Sequence, residues 1–399
     1  MTERLYYDNA YLTEFDAVVE KIDLRGEKQI VALNRSAFYP TSGGQPYDTG
    51  TLNGAAVTDV FVDKAGEVWH EIDGELAVGE AVHGCIDWQR RFDHMQQHAG
   101  EHMLAGAFHV LYGGYTIGLH LGAETSSIDV ELPDGATQIS DEQLRAVEDY
   151  VNLRVQQDHP VKCWFPDAEA LAALPLRKAP TVSEHVRIVA MGDFEMVACG
   201  GTHPSTTGQI GFVKIVSTQP VKGKVRVSFV CGERAWQDYR RNYDAVWAAA
   251  NLLSTRPEHL AHILENTLER LHSAEHELAK LRREQLLSGI PAMLAAAEAK
   301  NGLKIVCQKI DGDATLAREL ASALIEHPNT IVLIGANAGD KCALVFGRSS
   351  DLELHMGKLL SECAKPFGGK GGGKPDFAQG GGPAEILEAA RKKLLGEDA

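Results

Sequence analysis

At 399 residues, with 44% apolar and 24% charged side chains, the chain is long enough for two or three domains that each bury a core. Seven scattered cysteines, an odd number, argue against a disulfide framework and for a reducing compartment. No apolar run approaches the ~20 residues needed to span a bilayer, and the first residues lack a basic stretch followed by an apolar one, so a cytoplasmic protein with no membrane partner is expected. A formal net charge of -16 repels nucleic acid at long range, so an RNA partner must be held by local basic patches.

Residues 1–90 read as a β-rich, barrel-like domain. Short β-branched runs at Ala17 to Ile22, Gln29 to Leu33, Ala56 to Val62 and Val68 to Ile72 are broken by Gly, Asp and Pro. Among them lies Ser36-Ala-Phe-Tyr-Pro-Thr-Ser-Gly-Gly-Gln45. Its Gly43-Gly44 pair permits close backbone approach, and Ser36, Thr41, Ser42 and Gln45 offer hydrogen bonds nearby. Taken alone, the stretch also reads as a tight turn capped by hydroxyls.

Residues 91–233 read as an α+β domain with a metal site. Asp93 and Gln96 resemble a capping box, and Met95, Ala99, Met103, Ala107 and Leu111 recur at helical spacing until Gly113-Gly114 stops the helix. On that helix sits His98-Ala-Gly-Glu-His102. Two imidazoles four positions apart share one face and reach a single ion. A hundred residues on, Cys199-Gly-Gly-Thr-His203 supplies a second pair that closes a four-ligand shell, and thiolate with imidazole suits zinc rather than calcium or magnesium. Strands are expected at Tyr115 to Leu121, Ser127 to Leu132, Val186 to Ala190, Phe194 to Ala198, Gly211 to Val216 and Val225 to Cys231. A helix opens at Ser140, and a shorter one ends near Pro175. Helices on one face of a mostly antiparallel sheet follow from that order.

Residues 234–300 are helical in pattern. Trp236, Tyr239, Tyr243 and Trp247 mark a first helix. After Pro257, a seam of Leu260, Leu264, Thr267, Leu271, Ala274, Leu278 and Leu281 is spaced like a coiled coil, in a helical pair or a homodimer. His259, His262, His272 and His276 read as a solvated flank. Residues 301–399 alternate as a small α/β domain, in which Gly368 to Gly382 holds eight glycines in fifteen positions. Read as a loop, it leaves backbone N–H groups free for phosphate, with Lys370, Lys374 and Phe377 adding charge and a stacking face. It is not a P-loop, because Pro375 follows Lys374.

Together, Phe38-Tyr-Pro-Thr-Ser-Gly-Gly-Gln45, His98-x3-His102, Cys199-Gly-Gly-Thr-His203 and the Gly-rich stretch resemble the AlaX proteins, stand-alone relatives of the alanyl-tRNA synthetase editing domain, in their long form. The resemblance implies hydrolysis of alanine tRNA mischarged with serine, one zinc ion at His98, His102, Cys199 and His203, and a C-terminal domain that grips the outer corner of the tRNA. It places substrate contacts at Phe38, Gly43 and Gly44, and catalysis at Ser36, Thr41 and Gln45. Two positions depart from the family pattern. Ser36 stands where a threonine that senses the serine hydroxyl is usual, and Ala99 follows the first zinc histidine in place of a hydroxyl residue. Ser36 lacks the methyl that fixes a threonine rotamer, which loosens discrimination.

The chemistry is coherent. A pocket sized for alanine cannot strongly reject serine, so accuracy needs a second, hydrolytic site, where Ser36 or Gln45 would bond the substrate hydroxyl. A glycyl ester lacks that hydroxyl. Four protein ligands leave an ion no vacancy, the habit of structural zinc. Two other readings compete. His98-x-x-Glu101-His102 also fits the inverted zinc-peptidase pattern with Glu101 as general base, and the chain also reads as a non-catalytic RNA-binding protein with structural zinc. Arg35, Arg90-Arg91, Lys222, Lys224 and Arg226 are the candidate contacts to acceptor-stem phosphates.

Overall fold

The computed structural model describes the chain except for residues 134, 181, 183, 184, 339, 340, 398 and 399. It is a multidomain α+β protein of two compact units, Met1–Ala249 and Ala250–Ala399.

The first unit opens with a closed six-stranded barrel, in the order Glu14–Arg25, Lys28–Leu33, Val68–Asp73, Ala55–Val62, Gly50–Leu52, Ala81–Ile86. Four of these are the strands the sequence marked. Gly50–Leu52 is too short to carry a pattern, and Ala81–Ile86 is interrupted by His83 and Gly84. The latter interruption is needed, because a Cβ at Gly84 would collide with the Phe15 ring inside the barrel. Alternate strand residues fill the interior, among them Phe15, Val31, Leu33, Leu52, Val60 and Ile72.

A single helix, Trp88–Tyr112, links the barrel to the rest of the unit. Its cap is Asp87, which accepts from Arg90 N, and not Asp93. Asp93 lies inside the helix and holds Arg234 through two hydrogen bonds of 2.7 and 2.6 Å. Gly113, at φ 64°, ends the helix in the left-handed conformation that favours glycine. Around the helix pack two antiparallel sheets and the helix Asp141–Gln156, which opens on the expected Ser140–Gln143 capping box. One sheet runs Val213–Val221, Lys224–Cys231, Ser126–Glu131, Tyr115–Leu121; the other runs Val161–Trp164, Ile188–Met191, Glu195–Ala198. Ala99, Met103 and Phe108 meet Val130, Val227 and Phe229 in the shared core.

The second unit holds the helix Leu260–Ser288, none of whose residues is buried, and a six-stranded sheet. The sheet order is Glu298–Lys300, Leu303–Ile310, Thr330–Ala338, Lys341–Arg348, Phe377–Gly382, Lys370–Gly373, with one parallel pair between the second and third. Its two faces alternate by residue. Ile331 and Leu333 face helices Met356–Ala364 and Glu385–Leu395, while Val332 and Ile334 face helix Ala314–Leu324. The Gly-rich stretch is therefore a hairpin rather than a loop. Helix Met356–Ala364 approaches it closely: a Cβ at Gly357 of that helix would lie 2.5 Å from Gly373 O, and one at Gly371 of the hairpin would lie 2.8 Å from Leu360 Cδ2.

Candidate metal centre

Two distant segments converge at the wall of one cleft. His98 and His102 stack on the linking helix with ring centroids 5.1 Å apart. The turn after strand Glu195–Ala198 brings Cys199 and His203 to them, so that one donor atom from each of the four residues lies within 4.8 Å of the others. Cys199 Sγ is 3.4 Å from Nε2 of both His98 and His203. Gly201 is required in that turn, because a Cβ there would collide with the His98 ring.

The hydrogen bonds say which nitrogens are free. His98 Nδ1 donates to Gln45 Oε1 at 2.8 Å, which leaves Nε2 as the lone pair facing the sulfur. Both ring nitrogens of His102, and Nδ1 of His203, are buried without a hydrogen-bond partner. Such orphans are costly unless something binds them. Burial pushes the His98 imidazole down to about 4 and holds His102 and His203 well below their usual range, so all three rings stay neutral, the state that ligates a cation. Burial also pushes the Cys199 thiol up to about 12, so a divalent ion is what would hold it as thiolate. Three imidazoles and one thiol fit a divalent ion that accepts nitrogen and sulfur.

The cleft has a volume of about 560 Å³. Tyr7, Tyr39 and Phe165 give it aromatic walls, and Ser42 and Gly43 reach it from the barrel's glycine motif. Its charges are Arg4, Arg177, Lys178, Arg187 and Glu101. Burial raises Glu101 to about 7, and its Oε2 lies 3.5 Å from His102 Nδ1. Cys199 and His203 occupy the positions that the inverted zinc-peptidase pattern would give to a carboxylate and a vacancy, which counts against that reading.

Several expected site residues sit elsewhere. Ser36 is fully buried inside the barrel; its hydroxyl donates to His70 Nε2 at 2.8 Å and accepts from Phe38 N at 3.1 Å, so it does not line the cleft. Phe38 is a core residue, 5.8 Å ring to ring from Phe15. Gln45 is equally enclosed. Its oxygen serves His98 and Thr202 N, and its nitrogen donates to Thr202 Oγ1, so it orients a candidate ligand and is not available to a substrate hydroxyl. Thr41 is exposed and outside the cleft lining, and Gly44 abuts Leu119. Arg91 is enclosed against Asp48, which removes one candidate phosphate contact; Arg90 bonds Tyr47 O, Arg35 bonds Asp16 O and Arg226 pairs with Asp129, each at or near the surface, and Lys224 is half-buried and Lys222 exposed. In the second unit Lys370 and Lys374 are exposed, whereas Phe377 is half-buried against Gly347 and the core, because alternate residues of its strand face inward.

Arg177 and Arg187 escaped the sequence reading. Arg187 was visible as a lone cation in the apolar run Val186 to Met191. Arg177 carried no such signal, and its partner Glu195, at 2.9 Å, is 18 residues away.

Residues 2–90 match the model of tRNA synthetases class II (A), 186–227 that of the threonyl and alanyl tRNA synthetase second additional domain, and 302–396 that of the DHHA1 domain. The chain is 33% identical over 401 residues to an alanine–tRNA ligase of Halorubrum lacusprofundi, covering 98% of this chain and 43% of that one. A ligase of Pyrococcus abyssi is 32% identical, with 95% and 42% covered. The chain thus spans about two fifths of those ligases. It is 31% identical over 409 residues to the alanyl-tRNA editing protein AlaX-L of Pyrococcus horikoshii, covering 99% of this chain and 98% of that one.

Proposed function

Since the chain belongs to the AlaX family of alanyl-tRNA editing proteins, in its long form, we propose that it acts in trans as a deacylase, hydrolysing seryl-tRNA(Ala) at one zinc ion held by His98, His102, Cys199 and His203. The observation that carries this reading is the convergence of those four side chains beside a cleft lined by arginines and aromatic rings. Bound zinc supplies a fixed positive charge beside the ester.

The aminoacyl ester is already activated, so the protein need only place a water, orient the ester and stabilise negative charge on its oxygen. Gln45 and Thr202 fix the His98 ring from behind. Tyr39 and Ser42 line the cleft, and the Tyr39 hydroxyl donates to Ser42 O at a long 3.3 Å, a bond that a serine hydroxyl can replace. Discrimination therefore falls to this pair rather than to Ser36. The DHHA1-matching domain grips the tRNA, with Lys370 and Lys374 on phosphate, and the arm pairs two copies. The division into 1–90, 91–233, 234–300 and 301–399 is part of this proposal.

The test is to incubate metal-replete protein with seryl-, glycyl- and alanyl-tRNA(Ala) and a peptide library, with and without chelator. Selective, chelator-sensitive loss of the seryl ester is expected. Peptide cleavage would favour the peptidase, and binding without turnover an RNA-binding role.

A further inference from the structure

Among the described residues, Arg187 stands in the cleft without a counter-charge. Its Nη1 donates to the carbonyls of Cys199 at 3.1 Å and Gly201 at 2.8 Å. The residue is 6% exposed, and its Nε is buried with no hydrogen-bond partner. Two other arginines enclosed in this unit meet a carboxylate, Arg91 at Asp48 and Arg177 at Glu195. Among the described residues none forms an ion pair with Arg187.

A buried guanidinium left uncompensated is costly. The neighbouring cluster does not relieve it, because a divalent ion with one thiolate and three neutral imidazoles carries a net positive charge of its own. Arg4 and Lys178 add further positive charge to the same cleft, against Glu101. In a chain of net charge -16, this local inversion points to an anion that arrives with the ligand.

We propose that Arg187 faces the substrate and neutralises an anionic oxygen that the substrate brings into or develops within the cleft. This rests on the deacylase reading. Two oxygens have the required chemistry. One forms when water adds to the ester carbonyl: a carbon–oxygen bond is made and the carbonyl pair moves onto oxygen. That pair then returns as the bond to the ribose oxygen breaks, and the ribose oxygen leaves with a proton from the attacking water. The other belongs to the phosphodiester preceding the terminal adenosine. Either would be met by a rigid donor, since two carbonyls and the Tyr7 ring, 5.3 Å from the guanidinium carbon, hold Arg187 in place.

Arg187→Gln keeps an amide donor for the two carbonyls but removes the charge, and Arg187→Lys keeps the charge. Both are assayed as full-length, zinc-loaded protein on seryl-tRNA(Ala) and on seryl-adenosine, which has no phosphate. If the oxygen is the ester's, Arg187→Gln retains zinc and loses about 10²- to 10³-fold in kcat on both substrates. If it is the phosphate's, KM rises for the tRNA alone. Arg187→Lys recovers part of either loss. Unchanged turnover with zinc retained overturns the proposal, and so does a loss of turnover that only tracks loss of zinc, which would make Arg187 a brace for the Cys199 turn. Unmodified protein that leaves both seryl esters intact is a separate result and defeats the deacylase reading itself.

Discussion

The carboxamide oxygen of Gln45 accepts the Nδ1 proton of His98 across 53 residues of sequence, at 2.8 Å. The bond fixes the tautomer that presents Nε2 to the cluster and raises the ring's basicity as a ligand. Gln45→Leu keeps comparable bulk but removes the acceptor, leaving the His98 N–H unpaired. Zinc affinity should fall about 10- to 100-fold, measured by competition with a chromophoric chelator. Unaltered affinity would show that the glutamine merely fills space.

Arg91 and Asp48 tie the barrel to the linking helix with neither side chain exposed. Arg91 also donates to Ala10 O at 2.9 Å and to Ala37 O at 2.5 Å, so one guanidinium gathers three barrel segments. Asp48→Ala strands a buried cation and should cost about 3–5 kcal/mol in urea unfolding of the protein. Asp48→Ala with Arg91→Met should recover part of that, because no charge is then left alone.

What was legible in the sequence follows from period and punctuation. Lys224–Cys231 and Val68–Asp73 announced themselves as apolar β-branched runs, and Ser140 and Gly113 as helix boundaries. The four candidate ligands were legible because His-x3-His and Cys-x3-His are local patterns. Their neighbours were not. Ser36 and Gln45 looked like substrate contacts because a hydroxyl or amide in a glycine motif carries no mark of its partner, and His70 and His98, the actual partners, lie 34 and 53 residues away. The eight glycines from Gly368 to Gly382 suggested free backbone for the same reason: nothing local says that a helix will pack against them.

His70 makes the barrel sensitive to acid. It is wholly enclosed, Nδ1 donates to Val31 O at 3.1 Å, and Nε2 accepts from Ser36. Burial lowers its pKa from 6.5 to about 4. The unfolded chain therefore takes up a proton at a pH where the folded one does not. The stability this residue contributes is complete above pH 6.5 and is lost as pH falls through the folded value, a change on the order of 3 kcal/mol. His70→Gln, which cannot titrate, should flatten the slope of unfolding free energy between those limits. A slope equal to that of the parent would place the titrating group elsewhere.

Lys370 and Lys374 project from the glycine hairpin into solvent. If they contact phosphate, replacing both by Ala should weaken tRNA binding and reduce the salt dependence by up to about two counterions, while zinc content stays as it was. Gly357→Ala probes the hairpin differently. Its Cβ would lie 2.5 Å from Gly373 O, so helix Met356–Ala364 must shift, and the second unit should lose about 1–3 kcal/mol. A Gly357→Ala protein as stable as the parent would mean that the helix gives way without cost.

The arm makes the last prediction. Leu264, Leu271, Leu278 and Leu281 are between 46% and 53% exposed on a helix with no buried residue. Spaced by sevens and threes with Thr267 and Ala274, they form a seam that water should not face alone. A second copy laid antiparallel would set Leu264 against Leu281 and Leu278 against Thr267. The same register puts Arg270 opposite Glu277, twice by symmetry, so charge and apolar layers agree on one alignment. Sedimentation of the parent should therefore give a dimer at micromolar concentration, and Leu271→Lys with Leu278→Lys a folded monomer whose zinc content is unaltered. Arg270→Glu alone should weaken the dimer, and Arg270→Glu with Glu277→Arg should restore it. A parent that sediments as a monomer would leave the seam without this partner.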